Sequence, residues 1–329
     1  MPADLKSIWV RSFGAPETYE LVAGPAPAPG PGQVRIAVHA AGVGFVDLLV
    51  AQGQYQLKPP LPFVPGSECA GEIEAVGAGV ESLYVGQRVC GAAFTGAFGQ
   101  SVILPAQAVL AIPHGMGFEE ASVFRVSYLT AYYALKQRGR LNAGETLLVL
   151  GAGGAVGYAA VQLGKTFGAK VIASASSPDK RALATLGGAD LCVDAASATW
   201  RDEVKSLNDG RPIDVVLDPV GGAATEVAFR ALAWNGRLLA VGFASGSIAK
   251  IPANLALLKG AALIGVDVRQ FGEREPDVAA ANIAEIFALH AKGSIKPAIA
   301  GTYPLEEFAA AMRAAQSGRS AGRIVIKMR

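Results

Sequence analysis

The chain has 329 residues, of which 51% are hydrophobic and 17% charged, with a formal net charge of +2. That length supports a large core and predicts two domains, and the near-neutral charge, without a basic run, argues against a nucleic-acid partner. No apolar run reaches transmembrane length and no signal-like segment opens the chain; Cys69, Cys90 and Cys192 are too scattered for a disulfide framework, so a cytoplasmic protein without a membrane partner is expected.

The first third reads as β-rich. "KSIWVRSF", "GQVRIAVHAAGV", "AGEIEAVG", "GQRVCGAA" and "QSVILPAQAVLAI" are short apolar or alternating runs punctuated by Gly and Pro. The Pro-rich "GPAPAPGPG" is too short for a linker and reads as a surface loop. From Phe118 the rhythm changes. "FEEASVFRVSYLTAYYALKQRG" predicts one long helix, with acids in its first turn and basic residues near its end.

Strands and helices then alternate. "TLLVLG", "AKVIASAS", "ADLCVDA", "IDVVLDPV", "GRLLAVGF" and "AALIGVDV" are near-continuous apolar strands with helical patterns between them. Such strands imply a parallel sheet covered on both faces, hence an α/β fold. The tail carries two helices, "DVAAANIAEIFALHAKG" and "LEEFAAAMRAAQSG", then the strand "GRIVIKM", and is expected to return to the first domain.

The turn after "TLLVL" carries the clearest chemistry. Strand, glycine turn and the helix "AVGYAAVQLGK" stand in the order of a dinucleotide-binding unit, although strict G-x-G-x-x-G spacing is not met. The best register is Ala152-x-Gly154-x-x-Gly157, with Gly154 near a pyrophosphate and Gly157 packing helix on strand. Gly153, Ala155 and Val156 complete the cradle, whose backbone N–H groups face the anion. A tight turn without a ligand is the plainer alternative. The second strand ends in "VIASASSPDKR", where an NAD-selective protein places Asp or Glu. Ser174, Ser176 and Ser177 stand there instead, with Lys180 and Arg181 beyond. Hydroxyls and a cation suit a 2′-phosphate, so NADPH is the expected cofactor; a solvated helix face is the competing reading of Lys180 and Arg181.

Several segments together resemble the zinc-free quinone oxidoreductase (zeta-crystallin-like) branch of the medium-chain dehydrogenases/reductases. They are "AAGVGFVDLLVAQGQY…LPFVPGSECAGEIEAVGAGV", "GETLLVLGAGGAVGYAAVQLGK", "DVVLDPVGG" and "GRLLAVGFASG". The resemblance implies a Rossmann doubly wound parallel sheet over 121–267, plus a β-rich GroES-like catalytic domain from 1–120 and 268–329. Zinc alcohol dehydrogenases carry Cys and His in the "GVCHSD"- and "GHE"-like segments. Gly44 and Ser67 stand in those places here, and neither can ligate zinc. His39, His114 and His290 are scattered and read as packed or surface residues. Hydride transfer without a Lewis acid favours an acceptor activated by conjugation, a quinone or an enone.

The resemblance assigns Tyr55 to the catalytic site, as hydrogen-bond or proton donor to the acceptor oxygen; a packed aromatic is the alternative. It places Thr130 near the nicotinamide, or else as an ordinary helix residue. Gly242 and Phe243 are expected to border the cofactor at the carboxyl end of the sheet, and Val266 and Asp267 after "ALIG" to do likewise. Asp47 is expected to order the "GFVD" turn and Asp218 to close a structural turn. Two departures stand out: Gly44 replaces the family's usual Asn, and Ala195 or Ala196 the Tyr after the third Rossmann strand. An enoyl-thioester reductase and an NADPH-binding structural or sensor protein are the competing functions. The apolar "AALIGVDVRQFG" edge, with the resemblance, predicts a homodimer.

Overall fold

The computed structural model describes residues 4–329. They divide into two compact units, one running to Val126 and resuming at Ile299, the other spanning Ser127–Ala298.

The first unit opens with the hairpin β1 (Leu5–Trp9) and β2 (Glu20–Gly24). Then come β3 (Gln33–Val43), α1 (Phe45–Ala51), β4 (Glu68–Val76), β5 (Arg88–Ala92), β6 (Ser101–Pro105), β7 (Val109–Ala111) and α2 (Phe118–Ala121). β3 alternates inward Val34, Ile36 and Val38 along its buried side, which is why it stands centrally and pairs with both β4 and β6.

The helix expected over 118–139 is broken. α2 stops at Ala121, α3 covers Arg125–Tyr133, and residues Ala134–Arg138 close it in a π-helical turn. The physical reason for the break lies at the start of α3. Its first turn leaves N–H groups without intrahelical partners, and the buried Glu68 carboxylate accepts one of them, Val126 N–H, at 2.7 Å.

The second unit continues with β8 (Thr146–Leu150), α4 (Ala155–Thr166), β9 (Lys170–Ala175), α5 (Pro178–Leu186), β10 (Leu191–Asp194), α6 (Trp200–Leu207), β11 (Ile213–Asp218), α7 (Ala223–Ala231), β12 (Leu232–Ala240), α8 (Ala253–Lys259), β13 (Ala262–Gly265), α9 (Val268–Arg274) and α10 (Pro276–Ala291). Its six strands are parallel, in the order β10-β9-β8-β11-β12-β13. This is the doubly wound order, with its switch point between β8 and β11. All five residues of β8 are buried, as a strand covered on both faces requires.

The domain ends expected at 120/121 and 267/268 therefore move to 126/127 and 298/299. Residues 268–298 stay with the parallel sheet because α9, α10 and the segment after them have partners on α3, α4 and the π turn. The Phe271 and Tyr133 rings stack at 3.9 Å, Asn282 exchanges hydrogen bonds with Gln137, and Gln162 accepts Lys296 N–H at 3.0 Å. The edge strand is also shorter than "AALIGVDVRQFG". Asp267 accepts from Arg269 and Gln270 N–H, and so caps α9 two residues after β13 ends.

The chain then returns to the first unit with β14 (Ile299–Pro304), α11 (Phe308–Gln316) and β15 (Arg323–Lys327). The seven-stranded sheet runs β14-β15-β3-β4-β5-β7, with β6 on β3. Among the described residues no helix is long and apolar enough to cross a membrane.

Candidate functional site

The second unit builds its site at the carboxyl ends of its strands. After Leu150 the chain turns at Gly151, whose φ of +61° only glycine adopts readily. The left-handed residue is thus Gly151, one before the first place of the expected register, and Ala152 is tolerated there as a fully buried residue held by Ser174 C=O. Gly154 is the N-cap of α4, with no side chain to cap it. The first N–H groups of α4 are thereby left for an external acceptor. A Cβ on Gly157 would collide with the Gly151 carbonyl, so glycine here permits the helix to close on the turn. Ala155 and Val156 are half-buried in the first helical turn. A Cβ on Gly151 would come within 2.8 Å of Val220 Cγ2, so the turns after β8 and β11 meet at the switch point.

Beyond β9, Ser174 is buried and Ser176 exposed. Ser177 caps α5, accepting Lys180 N–H at 3.4 Å. The Lys180 stem lies over Gly153, and burial pulls its ammonium below the ordinary lysine range. Arg181 pairs with Asp194, at the end of β10, at 3.1 Å, and also donates to Ala175 C=O. Sequence reading linked Arg181 to the cofactor without this acidic partner, which comes from a neighbouring strand.

Asp218 closes a turn, as expected: its carboxylate accepts Val220 N–H, Gly221 N–H and the Thr225 hydroxyl. Its carbonyl accepts Val241 and Gly242 N–H, and a Cβ on Gly221 would lie 2.9 Å from Phe243 Cδ1. Gly242 and Phe243 therefore border the same turn. Val266 is buried and bonded to Ala240 C=O at the end of the sheet. Thr130 is buried in α3, where Tyr128 donates to Gln162 at 2.6 Å.

The first unit gathers a different set. Gly44 caps α1, and its N–H is accepted by Asp47 at 2.7 Å. Asp47 also bonds Ser67. Glu68 faces Arg323 of β15 at 3.5 Å, and Arg323 Nε is buried without a hydrogen bond among the described residues. Burial pushes both the Asp47 and Glu68 carboxyls above the ordinary range, against the pull of Arg323 and of their hydrogen bonds. Gly42 lies against this guanidinium, since a Cβ there would stand 3.1 Å from Nη2, but its closest conflict would be with Ser122 C=O. Arg323 was missed in the sequence. Its signal was a single cation inside the apolar strand "GRIVIKM".

This donor set does not suit zinc. Gly44 offers no ligand atom, Ser67 is engaged with Asp47, and Glu68 is engaged with Arg323 and Val126 N–H. Burial pushes the thiols of Cys69 and Cys90 up to about 12. Tyr55 is half-buried against the core, with its ring 6.2 Å from that of Phe94.

Comparison with known proteins follows this division. The family described as "Alcohol dehydrogenase GroES-like domain" matches residues 30–114, and that described as "Zinc-binding dehydrogenase" matches 155–285. The chain is 37% identical to quinone oxidoreductase-like protein 2 homolog of Nematostella vectensis, over 89% of this chain and 81% of that protein. It is 32% identical to the human synaptic vesicle membrane protein VAT-1 homolog, over 98% of this chain and 86% of that protein. Among solved structures, the quinone oxidoreductase from Thermus thermophilus, described also in its complex with NADPH, aligns with a TM-score of 0.86. The identity is 31%, over 98% of this chain and 99% of that one.

Proposed function

The chain belongs to the medium-chain dehydrogenases/reductases, NAD(P)-dependent oxidoreductases, in their quinone oxidoreductase-like branch, and from that premise we propose that it is an NADPH-dependent reductase of quinones and enones. The observation that carries the cofactor choice is the edge after β9. No carboxylate stands at Ser174–Ser177, and Lys180 reaches back over Gly153. A ribose 2′-phosphate meets hydroxyls and an ammonium there, whereas a 2′-hydroxyl lacks its usual acidic acceptor.

Bound NADPH supplies the hydride. The uncapped N-terminus of α4 and the turn Gly151–Gly157 hold its pyrophosphate, and Gly242, Phe243 and Val266 line the sheet end beside it. Gly44 and Ser67 give no metal to polarise a carbonyl, so the acceptor must be activated by its own conjugation. Tyr55 donates the hydrogen bond or proton to its oxygen.

We read the assembly as a homodimer. β13 is the edge strand of the parallel sheet, and Trp234 of β12, Leu257 and Leu258 of α8 and Leu263 of β13 are 71%, 80%, 69% and 54% exposed. Sedimentation at micromolar concentration should show a dimer; a monomer alone would refute it.

NADPH consumption against a panel of quinones, enones and enoyl-thioesters tests the activity. Turnover of quinones and enones is expected. Turnover of enoyl-thioesters alone makes it a thioester reductase, and binding of NADPH without turnover makes it a sensor.

A further inference from the structure

Beside Arg237 of β12 and Ile264 of β13, the second unit holds a cavity of about 460 Å³, within the size range of small-ligand sites. Three arginines line it: Arg138, Arg140 and Arg237, with Glu145 the one acidic group. The pairing among them is uneven. Arg237 takes Glu145 in a two-pronged bond, 2.8 Å on each prong, and donates its Nε to Gly139 C=O at 3.0 Å. Glu145 also accepts Asn142 N–H, at 2.8 Å. The carboxylate is thus fully engaged, and the pair makes a neutral, fixed floor.

Among the described residues Arg138 and Arg140 have no such counter-charge, and the hydrogen bond of the Arg138 side chain there is from Nε to Gly265 C=O at 3.0 Å, which fixes the guanidinium while leaving both Nη groups. Arg140 forms no ion pair or side-chain hydrogen bond among the described residues. Its backbone is left-handed, with φ of +46°, an uncommon state for arginine. That conformation is held from both sides, since Arg140 C=O accepts Asn142 Nδ2 at 3.1 Å and Arg237 Nη2 at 3.3 Å. The π-helical turn Ala134–Arg138 leads straight into it, with Gly139 N–H reaching back to Ala134 C=O. A π turn and a left-handed arginine in succession are costly irregularities of a kind that gathers at functional sites.

We propose that this cavity binds a phosphate-bearing anion, gripped between Arg138 and Arg140 above the Arg237–Glu145 pair. Two guanidinia without a counter-charge match the charge and the oxygen geometry of a phosphoryl dianion. Gln137 and Asn142, the uncharged polar neighbours, are already engaged with Asn282 and with Arg140 C=O, so the selectivity rests on charge. The site is separate from the glycine turn after β8 and does not depend on the reaction proposed above. The ligand is either free phosphate or the phosphoryl end of a nucleotide.

Calorimetry with inorganic phosphate and with ADP, with and without saturating NADPH, distinguishes these sources. Saturable 1:1 phosphate binding in the low millimolar range or tighter, persisting with NADPH, is expected. ADP binding more tightly than phosphate under saturating NADPH identifies the nucleotide. Arg138→Gln and Arg140→Asn, the latter chosen because Asn accepts the left-handed conformation, should each weaken binding about tenfold. Arg138→Lys should retain part of it. Both arginines are exposed, so the variants should fold, and unchanged thermal unfolding without phosphate checks this. Absence of saturable binding up to about 10 mM, or equal binding by wild type and both variants, overturns the proposal and leaves the arginines as a solvated helix end.

Discussion

Lys180 lies across Gly153: an ideal Cβ on the glycine would stand 2.5 Å from both Cβ and Cγ of the lysine. The packing couples the glycine turn to the first turn of α5, and it buries enough of Lys180 to lower its proton affinity. A 2′-phosphate would restore that affinity. Lys180→Ala should therefore weaken NADPH binding by on the order of 1–3 kcal/mol and leave NADH nearly unchanged, as fluorescence titration with both cofactors will show. Equal losses for the two would remove Lys180 from the phosphate site.

Gly157→Ala tests the cradle itself. The added methyl is driven into the Gly151 carbonyl, which is backbone and cannot swing aside. A loss of about 1–3 kcal/mol in unfolding free energy is expected, with weaker binding of either cofactor. Gly265→Ala is the control, because nothing lies within 4 Å of its Cβ position.

Arg323→Gln removes the guanidinium facing two buried carboxyls. Near neutral pH the cost should be about 3–5 kcal/mol. Asp47 and Glu68 are held above their ordinary range, chiefly by burial, so the folded chain binds protons more readily than the unfolded chain there. That contribution is fully present below the unfolded carboxyl range, about pH 4, and is lost as pH rises through the folded values. Denaturant unfolding of the variant should consequently show a smaller deficit at about pH 5 than at about pH 8. A deficit independent of pH would mean that neither carboxyl titrates in that window.

Thiol labelling should find one reactive cysteine per native chain. Cys192 is partly exposed, whereas Cys69 and Cys90 are buried and pushed up to about 12. Near pH 8 their thiolate fraction is about one in ten thousand, so they should label only on unfolding. Rapid labelling of all three would show that the first unit opens readily.

Tyr55→Phe asks whether the tyrosine acts or only packs. Its ring should keep its place beside Phe94, so the loss is confined to the hydroxyl. With an enone, kcat should fall about 10- to 1000-fold. A quinone should lose less, because its reduced form is a stabilised phenolate that water can protonate. NADPH affinity should barely move. Unchanged kcat with both acceptors would reduce Tyr55 to packing.

The parallel sheet was legible because a strand covered on both faces must be apolar throughout. β8 is such a strand, and its flanking glycines are where turn and helix must touch. The cradle could be read for the same local reason: Gly154 and Gly157 act within a few residues of each other. Even so, the turn glycine proved to be Gly151, since a backbone sign is not written in residue spacing. What the tertiary structure decided were pairings between distant segments. Arg323 meets Glu68 across 255 positions, Arg181 of α5 meets Asp194 at the end of β10, and α9 and α10 choose the parallel sheet through Tyr133, Gln137 and Gln162. The long helix after Phe118 was lost for the same reason: its pattern is continuous, but a buried carboxylate from β4 takes up the N–H of Val126. Local periodicity determines which segments become helices and strands; polar and aromatic contacts with residues far along the chain determine where those segments stop and to which unit they belong.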